Sequence, residues 1–555
     1  MATLAAPDFN VADFLAEERG KDILRFSTAG SVDDGKSTLI GRLLYDTQSV
    51  YEDQVRSIQG KGTTAPGQID FALLTDGLRA EREQGITIDV AYRYFSTSRR
   101  KFIIADTPGH EQYTRNMATG ASTADAAVVL IDASKGVLVQ SRRHAYIASL
   151  LRVRHVLVAV NKMDLIGYDE AAFNTIERDF RALLQQIAAD TGNPVEPVFV
   201  PVSALAGDNI VHRSSAMPWY AGPSLLELLE ELPSSIDTRD QPFRFPVQRV
   251  LRPDHTFRGF SGQIASGTIR PGDAITVQPS GRGAQIERIV TFDGDLAEAY
   301  APLSVTLVLD RELDISRGDL IVSAASPATV LKSLEAALVW MDERPLEAHR
   351  RYLLKHTSHT VPAFIVSIAH RTNIATLGRE PATTLEMNAI GVVRIDLLRP
   401  IAFDLYSQNR ATGAFILIDA ETNHTVAAGM VKAASDAAVQ VERVTAEERV
   451  RRWGHRGAVL SLKGPEGAID AIERALFHAG VIAARVAISQ DASQAVVLEA
   501  LAQSGILALL VSESDSNQLT AQVEEHEMTL EGGDATAAIH QLLTTAGVLV
   551  AQGKV

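Results

Sequence analysis

The stretch that most constrains this chain runs from Gly30 to Ser37 and reads G-x-x-x-x-G-K-S. A strand-like segment, 22–29, precedes it, and an apolar-faced helical pattern, 37–44, follows it. Glycines let the backbone N–H groups of such a turn converge on a phosphate, and the helix N-terminus adds partial positive charge. At average residue usage this match arises by chance roughly 0.02 times in a chain of this length. The pattern predicts a phosphate loop, with an ordinary strand-to-helix turn as the alternative.

The side chains of this loop have predicted roles in binding. Lys36 would span the β- and γ-phosphates of a nucleotide, and the Ser37 hydroxyl would ligate Mg²⁺. The predicted phosphate-binding residues are Gly30, Ser31, Val32, Asp33, Asp34, Gly35, Lys36, Ser37 and Thr38.

Composition excludes several other kinds of protein. A length of 555 residues predicts several domains, because one core does not extend so far. The absence of cysteine excludes disulfides, thiolate metal sites and cysteine nucleophiles. No signal peptide and no apolar run of about 20 residues is visible, so we expect a cytoplasmic protein without a membrane. A net charge of −15 argues against loose nucleic-acid binding, and no nucleic-acid partner is expected.

Two loops downstream are predicted to contact the γ-phosphate. A strand-like run, 101–106, ends in Asp106, and Gly109 and His110 follow it. Asp106 is placed to hold a Mg²⁺-bound water, and the Gly109 N–H is placed to meet the γ-phosphate. Thr87 lies in a long loop. Its hydroxyl could reach Mg²⁺ only while the triphosphate is intact. Because D-x-x-G alone has almost no specificity, this prediction depends on its position after a strand.

The tetrad from Asn161 to Asp164 reads N-K-M-D and predicts the base. The Asp164 carboxylate can accept hydrogen bonds from both N1–H and the exocyclic N2–H of guanine, a pair of donors that adenine does not offer. Asn161 would brace the loop and contact the base, while the stem of Lys162 would stack on the purine. The loop residues predicted to contact the guanine oxygen are Ser203, Ala204 and Leu205. The predicted ligands are therefore GTP and Mg²⁺.

The distribution of strand and helix patterns predicts a multidomain α/β plus β fold. Alternating strands and helices favour a doubly wound domain with ligand loops at the carboxyl ends of its strands. Short strands with Gly/Pro turns then indicate antiparallel barrels, and the last region returns to α/β character. The predicted boundaries are 1–20 for an N-terminal extension, 21–238 for the P-loop GTPase domain, 239–335 and 345–435 for two β-barrels, and 441–555 for a C-terminal α/β domain.

The motifs together resemble the translation-factor class of GTPases. Within that class, the segments 32–45, 81–89 and 109–117 look most like the large, GTP-hydrolysing subunit of bacterial sulfate adenylyltransferase. The similarity covers roughly residues 15–435. It implies a separate small catalytic subunit that forms adenylylsulfate and pyrophosphate from ATP and sulfate, with this chain hydrolysing GTP to drive that uphill reaction.

The resemblance also implies roles for individual residues. Lys36 and the loop amides neutralise charge on the β- and γ-phosphates, and His110 orients the attacking water. Ser37 and Thr87 bind Mg²⁺, and Asp106 binds it through water. The implied catalytic residues are therefore His110, Lys36 and Thr87.

The C-terminal region resembles the start of adenylylsulfate kinase in three segments, 455–459, 464–467 and 472–480. Where that kinase has a phosphate loop, this chain has only Gly-Pro-Glu-Gly, without the lysine and the hydroxyl that phosphate chemistry needs. The sequence therefore predicts a degenerate domain that lacks kinase activity.

Two other functions remain open from the sequence. A translational GTPase that delivers a tRNA would share every motif of the GTPase domain. A regulatory module without a catalytic partner would share them as well, since isolated GTPases of this class can hydrolyse slowly.

Overall fold

The computed structural model describes residues 21–58, 69–74, 87, 89–233, 238–254, 257–348, 350–434, 445–487, 493–514, 518–531 and 535–549. The chain divides into two compact units, Met1–Asp436 and Ala437–Val555. The predicted N-terminal extension, 1–20, lies outside the described residues. No helix among those described is long and apolar enough to cross a membrane.

Six described strands form the sheet of the first domain. They are β1 Ile23–Ala29, β2 Ala91–Ser96, β3 Lys101–Asp106, β4 Ala126–Asp132, β5 His155–Asn161 and β6 Pro197–Pro201. Their order is β2-β3-β1-β4-β5-β6. Only β2 is antiparallel to its neighbour, and the other pairs are parallel. Every residue of β4 is buried, as expected for a parallel strand covered on both faces.

Helices cover both faces of this sheet. They are α1 Lys36–Asp46, α2 Glu52–Ile58, α3 Thr114–Ser122, α4 Val139–Leu150, α5 Glu170–Thr191 and α6 Leu225–Glu231, with 3₁₀ turns at Phe71–Leu74, Glu111–Tyr113 and Met163–Ile166. Alternate residues of β4 divide between two cores: Val129 packs with α3, α4 and α5, while Val128 packs with α1 and α6. The phosphate loop thus enters a helix anchored by its apolar face.

The next domain is antiparallel. Its strands are β7 Arg244–Pro246, β8 Arg249–Leu251, β9 Gly259–Gln263, β10 Thr268–Ile269, β11 Ala274–Gln278, β12 Arg282–Thr291, β13 Gly294–Asp295, β14 Ala299–Tyr300, β15 Ser304–Leu309 and β16 Leu320–Ser323. The main sheet runs β7-β16-β11-β12-β15-β9-β8. A bridge between Arg244 and Ser266 brings the chain after β9 back to β7, so the sheet curls around its own apolar core.

The third domain is a closed barrel. Its elements are β17 Thr329–Trp340, β18 Arg351–His356, β19 His359–Asn373, β20 Gly378–Glu380, β21 Ile390–Phe403, α7 Arg410–Gly413, β22 Ala414–Asp419 and β23 Thr425–Ala434. The order β18-β22-β23-β17-β21-β19 closes through pairing of β19 with β18. The predicted boundary at 335 cuts through β17, which pairs with β21 and β23 and therefore lies wholly in this barrel. The apolar run at its end, which falls between the two predicted barrel ranges, belongs to the core, and Trp340 is 1% exposed.

This barrel shares a core with the first domain. Val339 and Ile390 belong to the same buried apolar cluster as the residues of α3, α4 and α5. Beside that cluster, the Tyr146 hydroxyl donates to Asp190 at 2.6 Å, and Arg379 of the barrel donates to the same carboxylate at 2.9 Å. Apolar burial and a shared polar cluster therefore fix the barrel on the helices of the first domain.

The second unit is a separate α/β fold. Its elements are α8 Ala446–Trp453, β24 Ala458–Gly464, α9 Glu466–His478, β25 Ala483–Ala487, α10 Ser493–Gln503, β26 Leu507–Glu513, β27 Gln518–Val523, β28 His526–Glu531 and α11 Ala535–Thr545. The strand order is β25-β26-β24-β27-β28, with β25, β26 and β24 parallel and the hairpin β27–β28 antiparallel to them. The described elements match the predicted return to α/β character.

One buried ion pair joins the two barrels. Arg244 donates to both oxygens of Asp404, at 2.8 and 2.9 Å, and its side chain is 4% exposed. Arg244→Met is expected to destabilise the first unit by about 3–5 kcal/mol, because it leaves the partly buried Asp404 carboxylate without its charged partner, although the Thr412 hydroxyl still donates to it. The measurement is the urea transition of the first unit. Arg178→Met, which breaks the exposed pair with Asp179, serves as the control and should leave that transition in place. An unchanged transition in Arg244→Met would contradict the prediction.

Candidate nucleotide-binding site

The side chain of Lys36 lies at the centre of the predicted phosphate loop. Its Nζ atom donates to the carbonyl oxygens of Gly30 and Ser31, both at 2.9 Å. Burial lowers the pKa of Lys36, while the nearby carboxylates of Asp106 and Asp34 act in the opposite direction. The ammonium group is held by neutral carbonyls, so an anionic phosphate entering the loop would be a stronger partner for it.

Two glycines of the motifs meet at positions where a side chain would collide. Gly35 has φ +90°, and a Cβ added there would lie 2.5 Å from Nδ2 of Asn161. A Cβ on Gly109 would lie 2.5 Å from Nζ of Lys36 and 3.0 Å from the carbonyl carbon of Ser31. The backbone of the D-T-P-G loop therefore lies directly against the phosphate loop, and only glycine permits this approach.

Buried polar atoms in the loop fit a polar ligand. Ser31 N donates to Oδ2 of Asp34 at 2.7 Å. Oδ1 of Asp34 and Oγ of Ser31 are buried without a hydrogen-bond partner among the described residues. Burial raises the pKa of Asp34, although the hydrogen bond from Ser31 lowers it. Buried polar groups are nearly always paired in folded proteins, so unpaired ones in a phosphate-loop motif indicate a place for a ligand.

Asp106 lies at the carboxyl end of β3, beside the phosphate loop. It is 3% exposed, and its Oδ1 accepts a hydrogen bond from Thr28 Oγ1 of β1 at 3.1 Å. Ser37, in the first turn of α1, is half-buried, as is Thr87. The residues on either side of Thr87 lie outside the described part of the chain, so its role in metal binding stays a prediction.

His110 follows the same loop and is half-buried. The backbone N–H of Gln112 donates to its Nδ1 atom at 3.2 Å, and the ring lies 6.2 Å from that of Tyr113. Because Nδ1 accepts, the proton of the neutral ring is assigned to Nε2. The remaining loop residues predicted to bind are also at the surface of this region: Val32 and Thr38 are half-buried, and Asp33 is exposed.

The predicted base-recognition residues are tied to one another and to the phosphate loop. Nδ2 of Asn161 donates to the carbonyl oxygen of Asp34 at 2.8 Å, and its Oδ1 accepts from Ala204 N at 2.9 Å. Oδ1 of Asp164 accepts from Ser203 Oγ at 2.6 Å. One amide thus connects three loops that lie far apart in sequence, and the hydroxyl fixes the orientation of the carboxylate.

Lys162 has a partner that sequence reasoning missed. Its Nζ lies 2.9 Å from Oδ2 of Asp132, the last residue of β4, which is 2% exposed. Ser134 donates to Oδ1 of Asp132 through both its N–H and its hydroxyl. Burial alone would raise the pKa of Asp132, but the hydrogen bonds from Ser134 and Lys162 outweigh it and lower that pKa. The sequence did offer a signal for Asp132: it is a carboxylate at the end of an otherwise apolar strand, as Asp106 is in β3.

The exposed part of the base loop is Leu205. Its side chain is 48% exposed, and its carbonyl oxygen accepts from Nη1 of Arg42 at 3.2 Å. This contact ties the end of the loop to α1, the helix that follows the phosphate loop.

The two hydrogen bonds of Asn161 predict a measurable effect. Asn161→Ala is expected to weaken GTP and GDP binding alike by about 10- to 100-fold, because it leaves the Asp34 carbonyl and the Ala204 N–H unpaired. Titration with fluorescent GDP and GTP analogues measures both affinities. Asn174→Ala, at an exposed position on α5, is the control and should bind as the unaltered chain does. Unchanged affinities in Asn161→Ala would show that the bracing is unimportant.

Comparison with family models assigns the domains that carry these loops. Residues 21–237 match the model described as elongation factor Tu GTP binding domain, and residues 333–432 match the GTP-eEF1A C-terminal domain-like model. The second match includes the last eight of the twelve residues of β17, in agreement with the pairing of that strand. The predicted P-loop domain and translation-factor-like barrel are confirmed.

Curated relatives are similar over most of the chain. The bifunctional enzyme CysN/CysC of Rhodopirellula baltica is 50% identical over 494 residues, which cover 84% of this chain and 75% of the relative. Sulfate adenylyltransferase subunit 1 of Teredinibacter turnerae is 52% identical over 420 residues, covering 75% and 89%. The same subunit of Laribacter hongkongensis is 52% identical over 445 residues, covering 79% and 91%. This chain therefore belongs to the sulfate adenylyltransferase subunit 1 family and carries an elongation factor Tu-type GTP-binding domain.

Proposed function

We propose that this chain is the GTP-hydrolysing subunit of a sulfate adenylyltransferase. A separate small subunit would transfer AMP from ATP to sulfate, releasing pyrophosphate, and GTP hydrolysis on this chain would supply the missing driving force. The names of the relatives support this function, since a subunit 1 implies at least one further subunit. The proposed assembly is at least a heterodimer, located in the cytoplasm, without a membrane or a nucleic acid.

The observation that carries the proposal is the brace at Asn161 together with the oriented carboxylate of Asp164. Ser203 donates to Oδ1 of Asp164 at 2.6 Å, and because each carboxylate oxygen has two lone pairs, both oxygens can still accept from a ligand. A carboxylate there accepts from the two N–H donors on one edge of guanine. The stem of Lys162, held by Asp132, would lie along the face of the base.

The phosphate side of the site fits GTP with a magnesium ion. Ser37, Thr87 and the water-mediated Asp106 would hold Mg²⁺ with oxygen ligands, which are the ligands this ion prefers. Among the described residues no group of three His, Asp or Glu side chains could hold a metal by itself, and Mg²⁺ commonly takes its other ligands from phosphates and water. When bound, the ion neutralises charge on the β- and γ-phosphates.

The chain's own groups would complete hydrolysis. Lys36 moves its donors from the carbonyls of Gly30 and Ser31 to the phosphate oxygens, and the Gly109 N–H meets the γ-phosphate. His110 orients the attacking water, with Nδ1 fixed by Gln112. Such positioning groups, not covalent chemistry, are what phosphoryl transfer requires.

The second unit is proposed to lack kinase activity. In a phosphate-loop kinase, a glycine-rich loop separates the first strand from the first helix. Here β24 ends at Gly464 and α9 begins at Glu466, with Pro465 alone between them. An acidic residue in the first helical turn would also repel a phosphate.

The first test of the proposed function is GTP hydrolysis by the full chain mixed with a small sulfate adenylyltransferase subunit. Hydrolysis is expected to rise when ATP and sulfate are both present, because the two reactions are coupled. Lys36→Ala should abolish this stimulation, since it removes the charge that meets the phosphates. Release of phosphate and formation of adenylylsulfate are measured in the same reaction.

The same assay separates the proposed function from a translational one. If the rate of GTP hydrolysis does not change with ATP and sulfate but increases with ribosomes, the proposal is overturned in favour of an elongation-factor-like GTPase. If the rate of GTP hydrolysis is the same with and without the small subunit, a regulatory module is favoured.

Base recognition gives a second prediction. In Asp164→Asn the amide oxygen can still accept from Ser203, which leaves the NH₂ group to face the base. GTP affinity is expected to fall at least 100-fold while xanthosine triphosphate gains affinity, because xanthine offers a carbonyl oxygen where guanine offers an amine. Asp169→Asn is the matched control, since Asp169 only caps α5 and asparagine can do the same. Retained preference for GTP in Asp164→Asn would refute the assignment.

A further inference from the structure

A second polar cleft lies where the first domain meets both barrels. It has a volume of about 440 Å³, within the range of small-molecule sites. Three arginines line it: Arg152 and Arg154 between α4 and β5, and Arg410 at the start of α7. The two strands β4 and β5 begin beside it, so it lies at the opposite end of the sheet from the nucleotide loops.

The three guanidinium groups are poorly neutralised. Within the described ranges, none of them forms an ion pair with a carboxylate. Arg152 donates to the carbonyl oxygen of Gly192 at 3.2 Å, and Arg410 donates to that of Ser122 at 2.7 Å. A guanidinium has five N–H donors, so these single bonds to neutral carbonyls leave most of the donors of Arg152 and Arg410 available.

The surrounding charges leave this cleft positive. Burial lowers the pKa of both Arg152 and Arg154; for Arg154 the nearby Asp125 acts in the opposite direction, and Arg410 lowers that pKa further. The nearby acid is Asp125, whose Oδ2 accepts from the backbone N–H of Arg25 at 2.9 Å. This one partly buried carboxylate is shared among Arg25, Arg154 and Arg410. Clustered like charges of this kind cost free energy unless an anion pairs with them.

Arg152 is also held in an unusual backbone conformation. Its φ is +53°, immediately after the end of α4, where glycine or asparagine is the common residue. An arginine at that position accepts a conformational cost that glycine would avoid. Arg152 nevertheless lines the cleft, together with Arg154 and Arg410.

We propose that these three arginines bind a tetrahedral oxyanion, sulfate or phosphate, either free or as part of a small molecule. Guanidinium groups match the geometry and charge of such oxyanions, and several can share one anion. The polar side chains Asn193, Gln241 and Gln408 line the same cleft and can contact the rest of a larger ligand. The ligand would contact the first domain and both barrels together.

The test is isothermal titration of the full chain with sodium sulfate and, separately, sodium phosphate at constant ionic strength. A non-hydrolysable GTP analogue and Mg²⁺ are kept saturating, so that neither the β- nor the γ-phosphate position can bind the added anion. Saturable binding is expected, with sodium chloride giving none. The stronger of the two titrations assigns the anion.

Arginine variants locate the binding. Arg154→Gln and Arg410→Gln are each expected to lose at least tenfold in affinity, as removal of a charged hydrogen-bond donor does. Arg152→Gly provides a variant expected to fold well, because glycine relieves the positive φ while removing the guanidinium. Arg178→Gln, which alters an exposed ion pair on α5, is the control and should bind normally.

Three results would overturn the proposal. One is the absence of saturable binding, and another is binding that all three variants retain. The third is that these variants no longer associate with a small subunit, whether or not the anion is present. That result would assign the arginines to a protein interface. None of these outcomes depends on the proposed coupling to sulfate activation, since GTP hydrolysis is not the quantity measured.

Discussion

The constraint on which the first unit depends is the meeting of parallel strand ends at one edge of a buried sheet. β1, β3, β4 and β5 each end in a loop at that edge, and each loop carries part of the candidate site. Because both faces of the sheet are covered by helices, these ends cannot shift without disturbing two apolar cores. Asn161 then fixes the loops to one another through two hydrogen bonds. The loops of the candidate site are therefore positioned mainly by the packing of the sheet, and polar contacts then fix them to one another.

The barrels are attached to this scaffold by packing and polar contacts as well as by the chain connection. The third domain shares apolar residues with α3, the helix that begins directly after His110 and Tyr113. Packed side chains and the Arg410 contact with Ser122 therefore connect the segment after the D-T-P-G loop to this barrel. Arg244 and Asp404 in turn connect the two barrels. The proposed oxyanion cleft lies where these connections converge.

Much of the candidate site followed from sequence because its chemistry is local. A phosphate loop needs its glycines, lysine and hydroxyl within eight residues, and the N-K-x-D tetrad is shorter still. Asp132 was missed because its importance arises from contact with Lys162, thirty positions away by chain and visible only when β4 and β5 pair. The predicted boundary at 335, within β17, was misplaced for a similar reason. The sequence pattern of a strand does not show which sheet the strand will pair with. Arg410 is likewise brought beside Arg152 and Arg154 only by folding.

The sequence by itself determined the order of motifs, the preference for guanine and the alternation of α/β and β regions, since these depend on residue type and short spacing. Tertiary structure decided which loops touch, which barrel shares a core with the first domain and where unpaired charge collects. It also showed that β24 passes into α9 through Pro465 alone, although the missing lysine was already visible in the sequence. Contacts between distant segments depend on how elements pack, and packing is a property of the whole chain and not of any one stretch.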